Sequence, residues 1–210
     1  PPGWEKWLLD LVAIATVTDV VPLIGENRVL ETYGLRVLNK TRRPGLLALM
    51  DAAGLVPGTI DTESIGFAIG PRINAAGRMD HASLALRLLL AETQDEARAL
   101  AQELERCNRE RQEATRRMMA EAEIQLGEHE PDTAVIFLWN ESWSPALVGL
   151  VAGRFLERFA RPTVVVGSHA GTWIGSGRST SAYDITAAMR VAGEQRLSRI
   201  GGHVQACGFA

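Results

Sequence analysis

The chain has 210 residues, of which 46% are hydrophobic and 22% charged, and 22 lysines and arginines against 25 aspartates and glutamates leave a formal charge of −3 at pH 7. This composition excludes a disordered tail, a collagen-like fibre and a generic polybasic nucleic-acid clamp. A chain of this length can bury one large core or two modest ones without disulfides or a structural metal.

The two cysteines, Cys107 and Cys207, stand outside any CxxC or zinc-ligand spacing. This pattern indicates a reducing compartment, so we expect a cytoplasmic protein. The first residues lack the pattern of a signal peptide, and the apolar run over residues 11–21 is interrupted by Asp19. No membrane span and no membrane partner are expected.

The first third of the chain is predicted to consist of short helices. Residues 7–17 are almost continuously apolar, which predicts a helix that is buried on all sides. Further helices are predicted over residues 26–40, 45–53 and 63–69, whereas glycine and proline in residues 70–78 predict a loop. Such helices need a sheet to cover, and this part of the sequence contains no strand pattern. We therefore expect both ends of the sequence to lie inside a longer protein.

A long helix is predicted next. After a short apolar helix over residues 82–90, Thr93 and Glu96 form a capping-box signal for a helix that runs to about Gln125. Its heptad positions are apolar at both ends and polar in the middle, which is expected of a helix that bridges two domains. The arginines of this helix fit either a solvated face paired with glutamates or a basic rail for a nucleic-acid backbone.

The last part of the chain alternates strands and helices. Apolar runs at residues 134–138 and 163–166 flank a predicted helix over residues 145–159, which is the pattern of a β-α-β unit with parallel strands. A third strand over residues 172–176 is predicted to end in a Gly/Ser loop, and a further helix covers residues 185–192. We therefore predict an α/β fold with a mixed sheet in this region.

Three parts of the chain follow from these patterns. Residues 1–92 are predicted to be a helical domain end, residues 93–130 a connecting long helix, and residues 131–210 a small α/β domain that stops within a strand or turn at residues 206–209.

Asp19 directly follows a predicted buried helix. An unpaired carboxylate in such a place is costly, so it must cap a helix, form an ion pair or hold a metal ion. The residues alone leave these alternatives open.

Residues 175–179 have the sequence Gly-Ser-Gly-Arg-Ser at the end of a predicted strand. Glycines let backbone amides approach an oxyanion, serine hydroxyls donate hydrogen bonds to it, and a guanidinium binds phosphate with two parallel hydrogen bonds. A Gly/Ser turn with an incidental arginine fits this short pattern equally well.

Two further segments combine small residues with a charged or ionisable side chain. Arg72 and Arg78 flank a stretch of small residues, which favours either an anion site or an ion pair at a domain edge. Gly201 and Gly202 precede His203, whose imidazole would be accessible in such a flexible backbone, although a lone histidine usually has a structural role.

Taken together, these motifs resemble the RecJ family of single-strand-specific exonucleases, which belong to the DHH phosphoesterase superfamily. The resemblance covers nearly the whole chain and rests on five motifs in the same order. The motifs are TVTDVVPL with ENR, GPRINAAGRM, GLVAGR with RPT, GSGRS, and GGH with GF.

The resemblance implies a function and a set of site residues. It implies hydrolysis of single-stranded DNA from the 5′ end with manganese or magnesium, with Asp19 as a metal ligand and Asp19 and His203 as catalytic residues. It also implies a helicase or a single-strand-binding protein as a partner. The residues implied to hold the 5′-phosphate or the DNA are Arg72, Arg78, Ser176, Gly177, Arg178, Ser179, Gly201 and Gly202.

The sequence departs from the family at the metal site. The Asp-His-His signature and the acidic clusters that precede it are absent, and residues 80–82, Asp-His-Ala, follow the Arg-Ile-Asn segment and are no substitute. One aspartate supplies too few ligands for a hard divalent cation, so we expect this chain to bind DNA without appreciable hydrolysis. Two alternatives remain: a DHH phosphoesterase that acts on short oligoribonucleotides or cyclic dinucleotides, and a non-catalytic binding module.

Overall fold

A computed structural model describes residues 3–79, 81–127 and 133–210. The chain divides into two units, a helical unit that ends at Arg111 and an α/β unit from Gln112 to Ala210. The boundary lies inside a long helix, so the predicted separate connecting segment over residues 93–130 stays a prediction. The predicted fold class, a helical part, a long helix and a mixed sheet, is confirmed.

The helical unit begins with a 3₁₀ turn, Trp4–Leu8. Its helices are α1 (Leu9–Thr18), α2 (Gly25–Leu38), α3 (Pro44–Ala52), the one-turn α4 (Thr62–Ser64), α5 (Gly70–Met79), α6 (Ser83–Leu90) and α7 (Gln94–Gly127), and a π-helical turn covers Ile65–Ile69. The helices predicted over residues 26–40, 45–53 and 82–90 are confirmed to within two residues. Gly54, with φ +70°, ends α3 in the left-handed conformation.

Close helix packing in this unit depends on two glycines. A Cβ atom at Gly34 of α2 would lie 2.6 Å from the carbonyl oxygen of Leu9, and one at Gly45 of α3 would lie 1.7 Å from that of Leu88. Only glycine permits these approaches, so α2 packs directly on α1 and α3 directly on α6. Fully buried leucines such as Leu46 and Leu49 fill the core around them.

The prediction that residues 7–17 are buried on all sides is wrong. Trp7 is 56% exposed, and in α1 only Asp10, Ala13 and Ile14 are buried. The sequence does not reveal the exposed face of α1, because Asp10, the one charged residue of the helix, is itself buried inside the unit. Its carboxylate is paired with Arg43 Nε at 2.8 Å.

The loop predicted over residues 70–78 is also wrong, since these residues form α5. Pro71, which has no N–H to donate, directly follows the π-helical turn Ile65–Ile69. Gly70 is required by packing, because a Cβ atom there would lie 2.7 Å from Thr18 Oγ1. The glycine therefore marks a close contact between α5 and the end of α1.

The α/β unit contains the end of α7 and a five-stranded sheet in the order β1-β2-β3-β5-β4. Its elements are β1 (Ile136–Trp139), α8 (Pro145–Phe159), β2 (Thr163–His169), β3 (Thr172–Arg178), α9 (Ile185–Gly193), β4 (Ile200–His203) and β5 (Ala206–Phe209). The predicted β-α-β unit is confirmed because β1 and β2 are parallel, and the other pairs are antiparallel.

One helix covers each face of this sheet. Val164 and Val166 of β2 pack with Ile185 of α9, whereas α8 packs on the opposite face against β2 and β3. Gln125 of α7 forms hydrogen bonds with the backbone of the edge strand β1. Its side-chain amide donates to the carbonyl of Trp139 and accepts from the N–H of Trp139, both at 3.0 Å. In the described part of the chain, no helix is long and apolar enough to cross a membrane.

Two predictions at the end of the chain need correction. The predicted Gly/Ser loop is part of β3, which continues to Arg178, and the flexible backbone predicted around Gly201 and Gly202 is the regular edge strand β4. Gly175, Gly177 and Gly202 lie against a neighbouring strand or helix, whereas a Cβ atom at Gly201 would have nothing within 4 Å. Glycine identity alone does not distinguish this situation from a turn.

Candidate functional site

Strand β3 presents different side chains on its two faces. Gly175 and Gly177 face α9, since a Cβ atom at Gly175 would lie 2.2 Å from the Phe209 ring and one at Gly177 would lie 2.8 Å from Cys207 Sγ. Successive residues of a strand alternate between faces, so Ser176 and Arg178 both point to the α8 side. The predicted phosphate-binding residues are therefore divided, and only the serine and the arginine share one surface.

Hydrogen bonds fix the orientation of this pair. Arg178 Nη1 donates to Ser176 Oγ at 2.7 Å and to the carbonyl of Gly177 at 2.9 Å. Ser176 Oγ in turn donates to the carbonyl of Cys207 on β5 at 3.1 Å. The guanidinium is thus held by a hydroxyl and a backbone carbonyl, and its planar fork keeps a defined direction.

Helix α8 packs closely over this pair because it carries Gly149 there. A Cβ atom at Gly149 would lie 3.1 Å from Arg178 Nη2 and 3.3 Å from Ser176 Oγ. At Gly153, one helical turn further, a Cβ atom would have nothing within 4 Å. Gly149 is therefore part of the site, and together with Ser176 and Arg178 it forms what we term the β3 cradle.

Two neighbours complete the electrostatics of the cradle. Burial raises the pKa of the Cys207 thiol, so at neutral pH the thiol stays uncharged and adds no negative charge behind Gly177. Ser179 is 2% exposed, and its Oγ has no hydrogen-bond partner in the described part of the chain. This hydroxyl keeps unused hydrogen-bonding capacity next to Arg178.

The predicted residues of β4 lie two strands away from β3. Gly201 pairs with Gly208 of β5, and His203 pairs with Ala206. Gly202 has φ +156°, and a Cβ atom there would lie 2.2 Å from the carbonyl oxygen of Ala206, so glycine is required. The imidazole of His203 is exposed, while its carbonyl accepts a hydrogen bond from Thr186 Oγ1.

Asp19 belongs to the helical unit, where it is the exposed C-terminal cap residue of α1. The next residue, Val20, has φ +56°, a left-handed conformation that is a genuine outlier for a β-branched residue and costs about 1 to 3 kcal/mol. Such strain persists where the surroundings impose it and is concentrated at functional sites. It supports a special role for the backbone beside Asp19.

The residues present do not by themselves fit a divalent metal. Across residues 3–79, 81–127 and 133–210, no group of three or more histidine, cysteine, aspartate or glutamate side chains could hold a metal ion. Asp19 offers one carboxylate, whereas manganese and magnesium prefer six oxygen ligands, several of which can be water.

Arg72 and Arg78 lie on α5 in the helical unit. Arg72 Nε is 2.6 Å from Glu105 Oε2 of α7, and Arg72 Nη1 donates to the carbonyl of Ala68 at 2.9 Å. Both side chains of the ion pair are largely buried, at 15% and 19% exposure. Arg72 can meet a phosphate only if this pair opens, and its predicted role as a DNA ligand stays a prediction. Arg78 is half-buried at the end of the same helix.

Sequence reasoning did not assign a role to Gly149 or to Glu105. A glycine in the first half of an amphipathic helix is a weak signal, and nothing local shows that it faces Arg178. Glu105 is one of several glutamates on α7, and only tertiary packing selects it as the partner of Arg72.

A comparison with protein-family models identifies the class of the second unit. Residues 132–210 match the DHHA1 domain. The matched residues include the five-stranded sheet with α8 and α9 on its two faces.

Comparisons over the whole chain are more specific. The chain is 37% identical to the single-stranded-DNA-specific exonuclease RecJ of Bacillus subtilis, covering 96% of this chain and 26% of that protein. It is 38% identical to RecJ of Salmonella typhimurium, covering 100% of this chain and 38% of that protein. The resemblance to RecJ that the motifs predict is confirmed, and the chain spans about a quarter to two-fifths of the length of these relatives.

Solved structures lead to the same family. The crystal structure of RecJ from Thermus thermophilus in complex with Mg²⁺ matches with a TM-score of 0.89 at 37% identity, covering 100% of this chain and 32% of that chain. The Mn²⁺ complex from the same organism matches with a TM-score of 0.88 at 37% identity, covering 100% of this chain and 30% of that chain. These two structures contain the two metals that the resemblance implies.

Proposed function

We propose that this chain is part of a divalent-metal-dependent exonuclease that hydrolyses single-stranded DNA from the 5′ end, and that the β3 cradle binds the terminal 5′-phosphate. The observation that carries the proposal is the arrangement of Ser176 and Arg178 under Gly149. It is supported by the similarity to RecJ proteins, which are named single-stranded-DNA-specific exonucleases.

The cradle suits a phosphate for three reasons. The guanidinium of Arg178 can donate two parallel hydrogen bonds to phosphate oxygens, and Ser176 Oγ, which accepts from Arg178 Nη1, holds that guanidinium in place. Gly149 places no side chain against these two groups. Charge-assisted hydrogen bonds of this kind are about twice as strong as neutral ones, so a terminal phosphate would be preferred to a hydroxyl.

The metal-dependent part of the activity requires more than this chain provides. Bound manganese or magnesium would polarise the phosphodiester and supply a nucleophile, and Asp19 is the residue that would contribute a ligand. We propose that the other ligands belong to the part of RecJ-like proteins that this chain does not match. We also propose that His203 and the glycines of β4 line the DNA-binding surface of the α/β unit.

The finer features of the biological setting are also proposals. Single-strand specificity requires unwound DNA, which supports a helicase or a single-strand-binding protein as partner. Cys107 and Cys207 are buried and form no disulfide, which supports the cytoplasm as the compartment.

The test is binding of the chain to oligonucleotides that are labelled at the 3′ end and carry either a 5′-phosphate or a 5′-hydroxyl. We expect tighter binding of the phosphorylated strand and a loss of that preference by about 10- to 150-fold in Arg178→Ala, the equivalent of 1.5 to 3 kcal/mol.

A matched pair of variants on α8 tests the geometry of the cradle. Gly149→Ala places a methyl group against Arg178 and Ser176 and should abolish the preference, whereas Gly153→Ala should retain it. Equal binding of both oligonucleotides by the unmodified chain would refute the phosphate site. With manganese added, binding without hydrolysis is expected, and efficient degradation would show that the metal site is complete here.

A further inference from the structure

The helical unit contains a pocket that the proposed exonuclease site does not use. It has a volume of about 500 Å³ and lies between the 3₁₀ turn at the start of the unit and the loop that joins α2 to α3. Six residues line it: Trp7, Asp10, Lys40, Thr41, Arg42 and Arg43. Its volume is within the range of small-ligand pockets.

Buried contacts hold the floor of the pocket. The carboxylate of Asp10 is 3% exposed, accepts from Arg43 Nε at 2.8 Å and from Thr41 Oγ1 at 3.3 Å, and accepts a third hydrogen bond from the N–H of Leu11. The N–H of Arg43 donates back to Thr41 Oγ1 at 3.3 Å. The α2–α3 loop is therefore fixed to α1, and the pocket is a defined shape.

One wall of the pocket is aromatic. Trp7 is 56% exposed, and Trp4, three residues earlier in the same 3₁₀ turn, is 57% exposed. Residues three apart in a 3₁₀ helix project in the same direction, so the two indoles share one side of the turn. Large apolar rings left in water at the edge of a pocket offer surfaces on which a planar group can stack.

Half of the lining side chains are cationic, namely Lys40, Arg42 and Arg43. Lys40 and Arg42 are exposed, and neither has an ion-pair partner within residues 3–79, 81–127 and 133–210. The pocket thus combines three cationic side chains with one carboxylate, and that carboxylate is already paired with Arg43. The remaining positive charge favours an anion.

We propose that this pocket is a second contact for single-stranded DNA, in which a base stacks on Trp7 and the adjoining phosphates lie against Lys40 and Arg42. Exposed aromatic rings beside cationic side chains are the combination with which proteins hold single strands without reading their sequence. The proposal rests on the proposed function in taking DNA as the ligand. It assigns the helical unit a DNA contact that is independent of the 5′ end.

The experiment measures binding of the full chain to a 3′-fluorescein-labelled oligothymidylate of about 20 nucleotides, with a 5′-phosphate or a 5′-hydroxyl, as a function of salt. Trp7→Ala should weaken binding of both strands about tenfold, and Trp7→Phe should restore most of the affinity. Lys40→Gln with Arg42→Gln should reduce the slope of log K against log salt by about 1.4, or about 0.7 per phosphate contact.

Matched controls remove the same groups elsewhere. Arg87→Gln with Arg190→Gln deletes two exposed charges, and Trp173→Ala deletes a tryptophan that is 43% exposed on the sheet. Both controls should bind as the unmodified chain does. Unchanged affinity in Trp7→Ala, or an equal loss in a control, would overturn the proposal.

The 5′-phosphate preference separates this proposal from the previous one. Variants of the pocket should keep that preference, since Arg178 is intact, and should lose overall affinity. If the unmodified chain shows no preference but Trp7→Ala still weakens binding, the cradle assignment fails and the pocket stands. A chain that binds neither strand contradicts the pocket as well.

Discussion

Helix α5 and strand β3 carry similar sequence signals and differ in what surrounds the arginine. Each has an arginine among glycines and small residues, and this pattern predicts a loop in both. In α5, Arg72 is held by the carboxylate of Glu105, largely out of water. In β3, Arg178 is oriented by a hydroxyl and a backbone carbonyl beneath a glycine of α8. An arginine among small residues thus predicts that the backbone is closely approached at that place. The pattern does not reveal whether the arginine binds a carboxylate of the protein or a ligand.

The largest effect is expected from removing the partner of Arg72. Glu105→Ala leaves a mostly buried guanidinium without its carboxylate and should lower the free energy of unfolding by about 3 kcal/mol in urea titrations. Glu103→Ala, on the same helix but exposed and 4.0 Å from Arg106, should leave stability unchanged. A changed 5′-phosphate preference in Glu105→Ala would break the comparison, since Arg72 would then act on the ligand.

The glycines of the two segments should respond in opposite directions. A Cβ atom at Gly177 would lie 2.8 Å from both Cys207 Sγ and Ile185 Cδ1, so Gly177→Ala should destabilise by about 2 kcal/mol. At Gly77 of α5 the nearest atom would be 3.7 Å away, so Gly77→Ala should stabilise by about 0.5 to 1 kcal/mol through helix propensity. Thermal unfolding of the two variants measures both signs. Equal destabilisation would mean that packing against α5 is tighter than the static contacts indicate.

The pH dependence of unfolding should reveal a buried carboxyl group in the helical unit. Glu31 of α2 is 3% exposed, and burial raises its pKa above 4.5, so the folded protein keeps this proton to higher pH than the unfolded chain. The stabilisation that comes from protonated Glu31 is fully present below pH 4.5. It is lost as the pH rises through the pKa that Glu31 has in the folded protein. Glu31→Gln should therefore have the same free energy of unfolding as the unmodified chain below pH 4.5. As the pH rises above 4.5, the variant should become increasingly more stable than the unmodified chain. Parallel pH profiles of the two proteins would contradict this assignment.

The smallest effects are expected at helix caps, one in each unit. Asp184 caps α9 by accepting from the N–H of Ala187 at 2.9 Å, and Thr93 accepts from the N–H of Glu96 before α7 at 3.3 Å. Asp184→Ala should cost about 1 kcal/mol and Thr93→Ala about 0.5 kcal/mol. Calorimetric midpoints would resolve the order, and a larger loss at Thr93 would reverse it.

Much of the fold follows from local patterns. The apolar runs of β1 and β2 and the amphipathic pattern of α8 predict the β-α-β unit, and the long helix is visible from its cap to within two residues. Two of the errors occur at Gly70 and along β3, where glycine is needed for contact with Thr18 or Phe209. Those contacts join residues far apart in sequence, so a local reading takes the glycines for turns.

The candidate site is predictable to the same extent. Ser176 and Arg178 can be identified from residue types and placed on one face from strand alternation. The groups that orient them, Gly149 and the carbonyl of Cys207, come from another helix and another strand. The sequence order of these elements gives no indication of their contact.

The position of β5 between β3 and β4 has a consequence for how the protein folds during its synthesis on the ribosome. Ser176 and Arg178 are synthesised well before the backbone of Cys207, yet their orientation depends on it. Until β5 has been synthesised, the glycine-rich edge of β3 is open to pairing with a wrong strand. Strand β4 cannot take the place of β5, because β4 joins the sheet only through β5. Nascent chains that stall before residue 206 should therefore lack the β3 cradle even when β1, α8 and β2 have already assembled.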